Sequence, residues 1–164
     1  MFKNRRYDIQ VGFTLIELLI VIALIGILAV TIMPRFTATG HSLEYEARRL
    51  LNDIRYTQAL SMLTGERYRW IRSSANSYQI QNEAGSSIML PNGSTEVTFT
   101  SGVMFGAMSN LPGGLIAFSS LGVPYVSVGT PGTALTSVAS IALTAGGNVK
   151  IIQILPQTGY GTVS

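Results

Sequence analysis

The chain has 164 residues, a formal charge of +3 and no cysteine, which leaves room for one domain beside a membrane segment and excludes disulfide and thiolate chemistry. The positive balance is local: Lys3, Arg5 and Arg6 stand against Asp8 in the leader, a net +2, so the rest of the chain carries only +1. That distribution points to membrane orientation rather than to a nucleic-acid partner, and a single histidine excludes a zinc site of ordinary ligand composition.

Met1 to Gly12 is charged and holds no apolar run of its own. The run starts behind it, from Phe13 to Met33, and covers 21 residues, uncharged from Leu18 onward. At about 1.5 Å per helical residue it matches the roughly 30 Å hydrocarbon core of a bilayer. The basic leader then stays cytoplasmic and everything after Met33 lies across the membrane. Glu17 stands inside this run, where a carboxylate costs about 2–3 kcal/mol or more in lipid and needs a partner. A secretory signal is cut after its apolar region, usually behind small residues, whereas here the charged leader ends at Gly12 and the apolar run begins behind it. Gly26 and Pro34 are expected to interrupt the helix, with a kink at Pro34, where an amide donor is missing and the ring clashes with the preceding turn.

Thr37 to Ser42 is a weak helical stretch with Gly40 in its middle. From Leu43 the helical period resumes: Leu43, Ala47, Leu50, Leu51, Ile54 and Met62 fall near one face, and Glu44 and Arg48 form an i,i+4 pair on the opposite side. Gly65 is a natural stop, so Ser42 to Thr64 reads as an amphipathic stem helix lying on a sheet. The period then switches to two. Candidate strands are Arg67 to Arg72, Ser77 to Gln81, Glu96 to Thr100, Leu115 to Ser119 and Pro124 to Val128. A last hairpin joins Ser140 to Leu143 with Val149 to Leu155 across Ala145-Gly146-Gly147-Asn148. Between Ala84 and Pro112 the pattern fits either one strand or two. The predicted fold is α+β, a long N-terminal helix packed on a mainly antiparallel sheet, since no crossover helix remains to join parallel strands. The organisation is a leader (1–12), a transmembrane helix (13–33), a kink and stem helix (34–65) and a β-rich head (66–164).

A Gly-Phe pair, a lone glutamate and a long aliphatic run are the signature of type IV prepilins, which Gly12 to Pro34 closely resembles. The stem ARRLLNDIRYTQALSMLTGERYRW, the strand-rich body and the terminal IIQILPQTGY look like the GspH/FimT branch of pilin-like proteins. That branch includes minor pseudopilins of type II secretion and minor pilins of type IV pili, such as a mannose-sensitive haemagglutinin pilus. The resemblance implies cleavage after Gly12 by a prepilin peptidase and N-methylation of Phe13. It implies pairing of Glu17 with a neighbouring subunit's N-terminus, and a stretch from Gly26 to Pro34 that can unwind in a fibre. It also implies other pilin or pseudopilin subunits and an inner-membrane assembly platform as partners. Before assembly the subunit would sit in the lipid bilayer of the inner membrane, its head periplasmic.

Convergent catalytic groups are scarce. His41 reads as a solvated linker residue, Asp53 is the only aspartate beyond the leader, and Glu44, Glu46, Asp53 and Glu66 read as a solvated helical face among arginines. No catalytic residue, metal or cofactor is expected, and the chain is not read as an enzyme. Gly159-Tyr160-Gly161 lacks the third glycine and the helix of a phosphate loop, so it reads as a turn before a terminal strand. One patch between Arg48 and Arg72, with Arg48, Arg49, Arg55, Arg67, Arg69 and Arg72 interleaved with Tyr56, Tyr68 and Trp70, has the composition of a DNA-contacting face, Arg67, Arg69 and Arg72 being its candidate contacts. Some FimT-like minor pilins bind DNA through an arginine-containing motif near the C-terminus. Here Tyr160-Gly161-Thr162-Val163-Ser164 has no arginine, and strand alternation turns Tyr68 and Trp70 toward the core. A solvated surface is the simpler account.

Overall fold

A computed structural model describes residues 14–32, 38–100, 102–127, 129 and 132–164, with side chains over 14–26 and from 41 onward among them. The chain forms two compact units, Met1–Phe36 and Thr37–Ser164.

The first unit contains α1 (Leu15–Ile32). Thr14 caps it: its hydroxyl accepts the Glu17 amide at 3.3 Å, and its carbonyl accepts the Leu18 amide at 3.2 Å. Thr14-Leu15-Ile16-Glu17 has the spacing of a capping box, with the acid in the first turn where the helix dipole favours negative charge. α1 stays helical on both sides of Gly26, while Pro34 lies outside the described residues. All described side chains of α1 are exposed, from Leu15 at 83% to Val21 at 46%. A helix apolar all round is built to be covered by lipid or by other helices. The described α1 side chains end at Gly26, and among the described residues no helix is long and apolar enough to cross a membrane.

The second unit begins with α2 (Ala38–Thr64), four residues earlier than the sequence pattern suggests. Gly40 and His41 are inside it. Leu43, Ala47, Leu50, Leu51 and Ile54 form its buried stripe as expected, whereas Met62 is 56% exposed beyond the end of that stripe.

The strands are β1 (Tyr68–Arg72), β2 (Ser77–Gln81), β3 (Val97–Thr98), β4 (Met104–Ser109), β5 (Leu115–Phe118), β6 (Pro124–Tyr125), β7 (Ala139–Ala145), β8 (Asn148–Ile154) and β9 (Gly161–Val163). They make two antiparallel sheets rather than one, ordered β3-β2-β1-β5-β6 and β4-β7-β8-β9. The Ala84 to Pro112 region holds two strands, one in each sheet. β4 escapes pattern reading because its register against β7 shifts between Phe105 and Met108, which breaks the period of two. Gly106 sits in that shift, where a Cβ would lie 3.0 Å from the Thr144 methyl. The β7–β8 hairpin is tighter than expected: Ala145 pairs with Asn148 around Gly146 and Gly147, both at positive φ (55° and 85°), as a two-residue turn of the hairpin type requires.

α2 packs on β1, β5, β7, β8 and β9, so one helix backs both sheets and a single core joins them. Trp70, Tyr78, Phe99 and Phe105 form its aromatic part, with neighbouring ring centroids 4.7–6.4 Å apart.

Candidate functional site

The motif residues Gly12 and Phe13 lie outside the described residues. Glu17 is described, exposed, and surrounded on its helix by Leu15, Ile16, Leu18, Leu19 and Ile20, all more than half exposed. α1 thus presents one carboxylate on an apolar cylinder. No described group of the chain makes an ion pair with Glu17.

The acids of α2 do not form a uniformly solvated face. Glu44 is at the surface, bound by Arg48 Nε at 2.6 Å and Lys150 Nζ at 2.9 Å, and these bonds, Lys150's first, hold its carboxyl below the usual range. Glu46 is fully buried. Its Oε1 accepts the Thr100 amide at 3.0 Å, and its Oε2 lies 3.6 Å from Arg49 Nη1 with no hydrogen bond. Asp53 Oδ2 accepts the Tyr78 hydroxyl at 2.5 Å. Burial pushes the Asp53 carboxyl up in spite of that bond, and burial followed by the Asp53 charge pushes the Tyr78 phenol up as well. Glu46 had a legible signal: it falls three residues after Leu43 and four before Leu50, between two core positions of one helix face.

The arginines of the strand patch are placed separately. Arg67 Nη1 donates to the Gly129 carbonyl at 2.6 Å, and its guanidinium lies 4.5 Å from the centroid of the Tyr125 ring. Arg69 Nε donates to Gln81 Oε1 at 2.8 Å, and burial lowers its pKa. Arg72 is exposed at the end of β1. Trp70 is fully buried and Tyr68 is packed against the core, so the aromatics face inward as the alternation implies. The Gly-Tyr-Gly stretch leads into β9. Arg55 Nη2 donates to the Gly161 carbonyl at 2.8 Å, and the Arg55 guanidinium lies 5.7 Å from the centroid of the Tyr160 ring.

His41 and Asp53 sit twelve residues apart on one helix, about 18 Å along its axis. Among the described residues, no three acidic or histidine side chains cluster as metal ligands. Two clefts flank α2. One of about 320 Å³ lies against β9 and is lined by Arg48, Leu51, Asn52, Arg55 and Val163. The other, of about 290 Å³, lies toward β3 and is lined by Tyr45, Arg49, Asp53, Leu90, Asn92 and Val97.

An apolar N-terminal helix carrying one acid, followed by a helix packed on antiparallel sheets, defines a type IV pilin-like fold. Residues 12–33 match the prokaryotic N-terminal methylation motif. The structure is similar to two crystal forms of the type IV minor pilin FimU of Pseudomonas aeruginosa. One shows 12% identity and a TM-score of 0.53, covering 76% of this chain and 89% of that one. The other shows 13% identity and a TM-score of 0.51, covering 74% and 92%. At such identities the likeness is one of fold. No curated protein sequence matches the chain significantly.

Proposed function

We propose that the chain is a minor subunit of a type IV pilus, processed between Gly12 and Phe13 by a prepilin peptidase, N-methylated on Phe13, and active in initiating or capping fibre assembly. The observation that carries this reading is α1, exposed and apolar all round with a single carboxylate, behind the methylation motif and ahead of a pilin-like head. Before assembly the inner-membrane bilayer covers this helix. Afterwards helices of neighbouring pilin subunits take the place of lipid, exchanging one apolar environment for another under an inner-membrane assembly platform. Glu17 then meets the Phe13 ammonium of a neighbour, and each charge satisfies the other in the low-dielectric fibre core. Around Gly26 and Pro34 the helix gives way as the fibre forms.

The competing reading is a minor pseudopilin of a type II secretion system, which uses the same N-terminal chemistry. The small, cysteine-free head with its Pro-Gln-Thr-Gly ending favours the pilus. A DNA-uptake role has less support, since Arg67 and Arg69 are engaged within the head and only Arg72 of the three stands exposed.

Deleting the gene, then counting surface pili and assaying secreted enzymes in the same cultures, tests the reading. Loss of pili with normal secretion supports it. Normal pili with defective secretion assign the chain to the pseudopilus. N-terminal sequencing of the mature protein is expected to start at Phe13, and retention of Met1 to Gly12 would refute the processing step. Glu17→Val is expected to leave the head folded and the subunit unable to enter the fibre.

A further inference from the structure

The pocket between α2 and the segment entering β3 has unspent hydrogen-bonding capacity. Tyr45, Arg49 and Asp53 follow one another at intervals of four residues, so they line one strip of the helix. Tyr78 occupies Asp53 Oδ2, and Oδ1 has no hydrogen-bond partner among the described residues. Half-buried Arg49 lines the pocket; its Nη1 lies 3.6 Å from Glu46 Oε2, beyond hydrogen-bond distance, and its charge also acts on Asp53. Asn92 accepts the Ser94 amide through Oδ1 at 3.1 Å, which leaves its two amide protons to donate. Leu90, Pro91 and Val97 supply an apolar wall, and the Tyr45 ring, 61% exposed, stands at the rim.

We infer that this pocket binds one neutral, polyhydroxylated ring, such as a single sugar unit. Its open groups include both donors and an acceptor, so the ligand must accept and donate at neighbouring atoms, as vicinal hydroxyls do. Charges of both signs line the pocket. An anion would face Asp53 with Glu46 behind it, and a cation would face Arg49, so a neutral ligand meets the least opposition. The Tyr45 ring and the aliphatic wall suit the C–H face of a pyranose, the part of a sugar that water releases most readily. At about 290 Å³ the space falls at the lower edge of the roughly 300–1,000 Å³ typical of small-molecule sites, room for one ring rather than a chain. This binding role is separate from the fibre reading and stands or falls without it.

The test is NMR titration of the full chain, methyl-labelled and held in a detergent without a sugar headgroup. The probes are neutral methyl hexopyranosides, with free glycine and 1,5-diaminopentane as zwitterionic and cationic comparators. Saturable shifts at Leu90 and Val97 with at least one hexopyranoside, weakened about tenfold or more by Arg49→Gln and by Asn92→Ala, are expected. Lys150→Gln, on the far side of α2, should leave binding unchanged. Unperturbed methyl spectra elsewhere in the head will show that each variant is folded. No saturation with any hexopyranoside at tens of millimolar overturns the inference. So does saturation only with glycine or the diamine, or binding that survives both pocket variants.

Discussion

Asp53 holds its charge in a half-buried site with the Tyr78 hydroxyl as its hydrogen-bond partner, and the consequence is a pH dependence of stability. Its native pKa is raised above the ordinary value of 3.8 because burial outweighs the hydrogen bond. Between those two values the native state binds more protons than the unfolded chain, so this group's contribution to stability is present below about 3.8 and lost as pH rises through the native pKa. Asp53→Asn keeps a carbonyl acceptor for Tyr78 and removes the charge. Melting curves of the two proteins are therefore expected to diverge as pH rises through that window, with the asparagine variant gaining, and then to run parallel. A constant difference from pH 3 to pH 8 would refute this account of Asp53. Glu46 behaves differently, since Thr100 depends on it. Glu46→Ala removes a fully buried side chain and takes away the acceptor of the part-buried Thr100 amide, and is expected to cost about 1–3 kcal/mol in chemical denaturation. A loss below about 0.5 kcal/mol would mean that the Thr100 amide finds another acceptor.

α2 and the β8–β9 hairpin show how elements of this head depend on close approach. A Cβ on Gly161 would overlap the Leu51 side chain, and one on Gly159 would lie 2.7 Å from Gln58 Nε2 and 2.8 Å from Phe118. The Gly-Tyr-Gly stretch is thus a pair of close-packing glycines that let the last hairpin rest on α2. Gly161→Ala is expected to destabilise the head by about 1–3 kcal/mol, the usual range for overpacking, as measured by urea unfolding. On the same helix, Leu50→Ala should cost about 2–5 kcal/mol because Leu50 is fully buried, while Asn52→Ala should stay within about 0.5 kcal/mol. Similar costs for the two would mean that α2 is not seated as described. Most of these elements were legible in advance. β2 falls on the residues its alternation marks, and β7 and β8 bracket two glycines that dictate their turn. β4 was not legible, because a register shift hides its period. The start of α2 was misread because Gly40 and the residues before Leu43 have weak helical propensity, which the helix that follows them overrides.

At the scale of the molecule, the two units have different ways of burying apolar surface. Thr37–Ser164 contains its own core, joined from α2 and both sheets, and Trp70 is fully buried in it. Residues 37–164 alone are expected to fold and to unfold in one transition, with Trp70 fluorescence and far-ultraviolet circular dichroism coinciding. Two separated transitions would show that the sheets melt independently. α1 forms no such core within its own unit, and all its described side chains are exposed.

The sequence by itself determined what depends on local chemistry and periodicity. The apolar run with its lone Glu17, the amphipathic stem, the hairpins marked by glycine and the absence of thiol chemistry all follow from residue type and spacing. Only the tertiary structure decided how the strands divide into two sheets, that Glu46 is a buried acceptor rather than a surface acid, and that Tyr45, Arg49, Asp53 and Asn92 meet at one pocket. Those outcomes depend on contacts between residues far apart in the chain, and no local period encodes which distant backbone amide or helix face a side chain will meet.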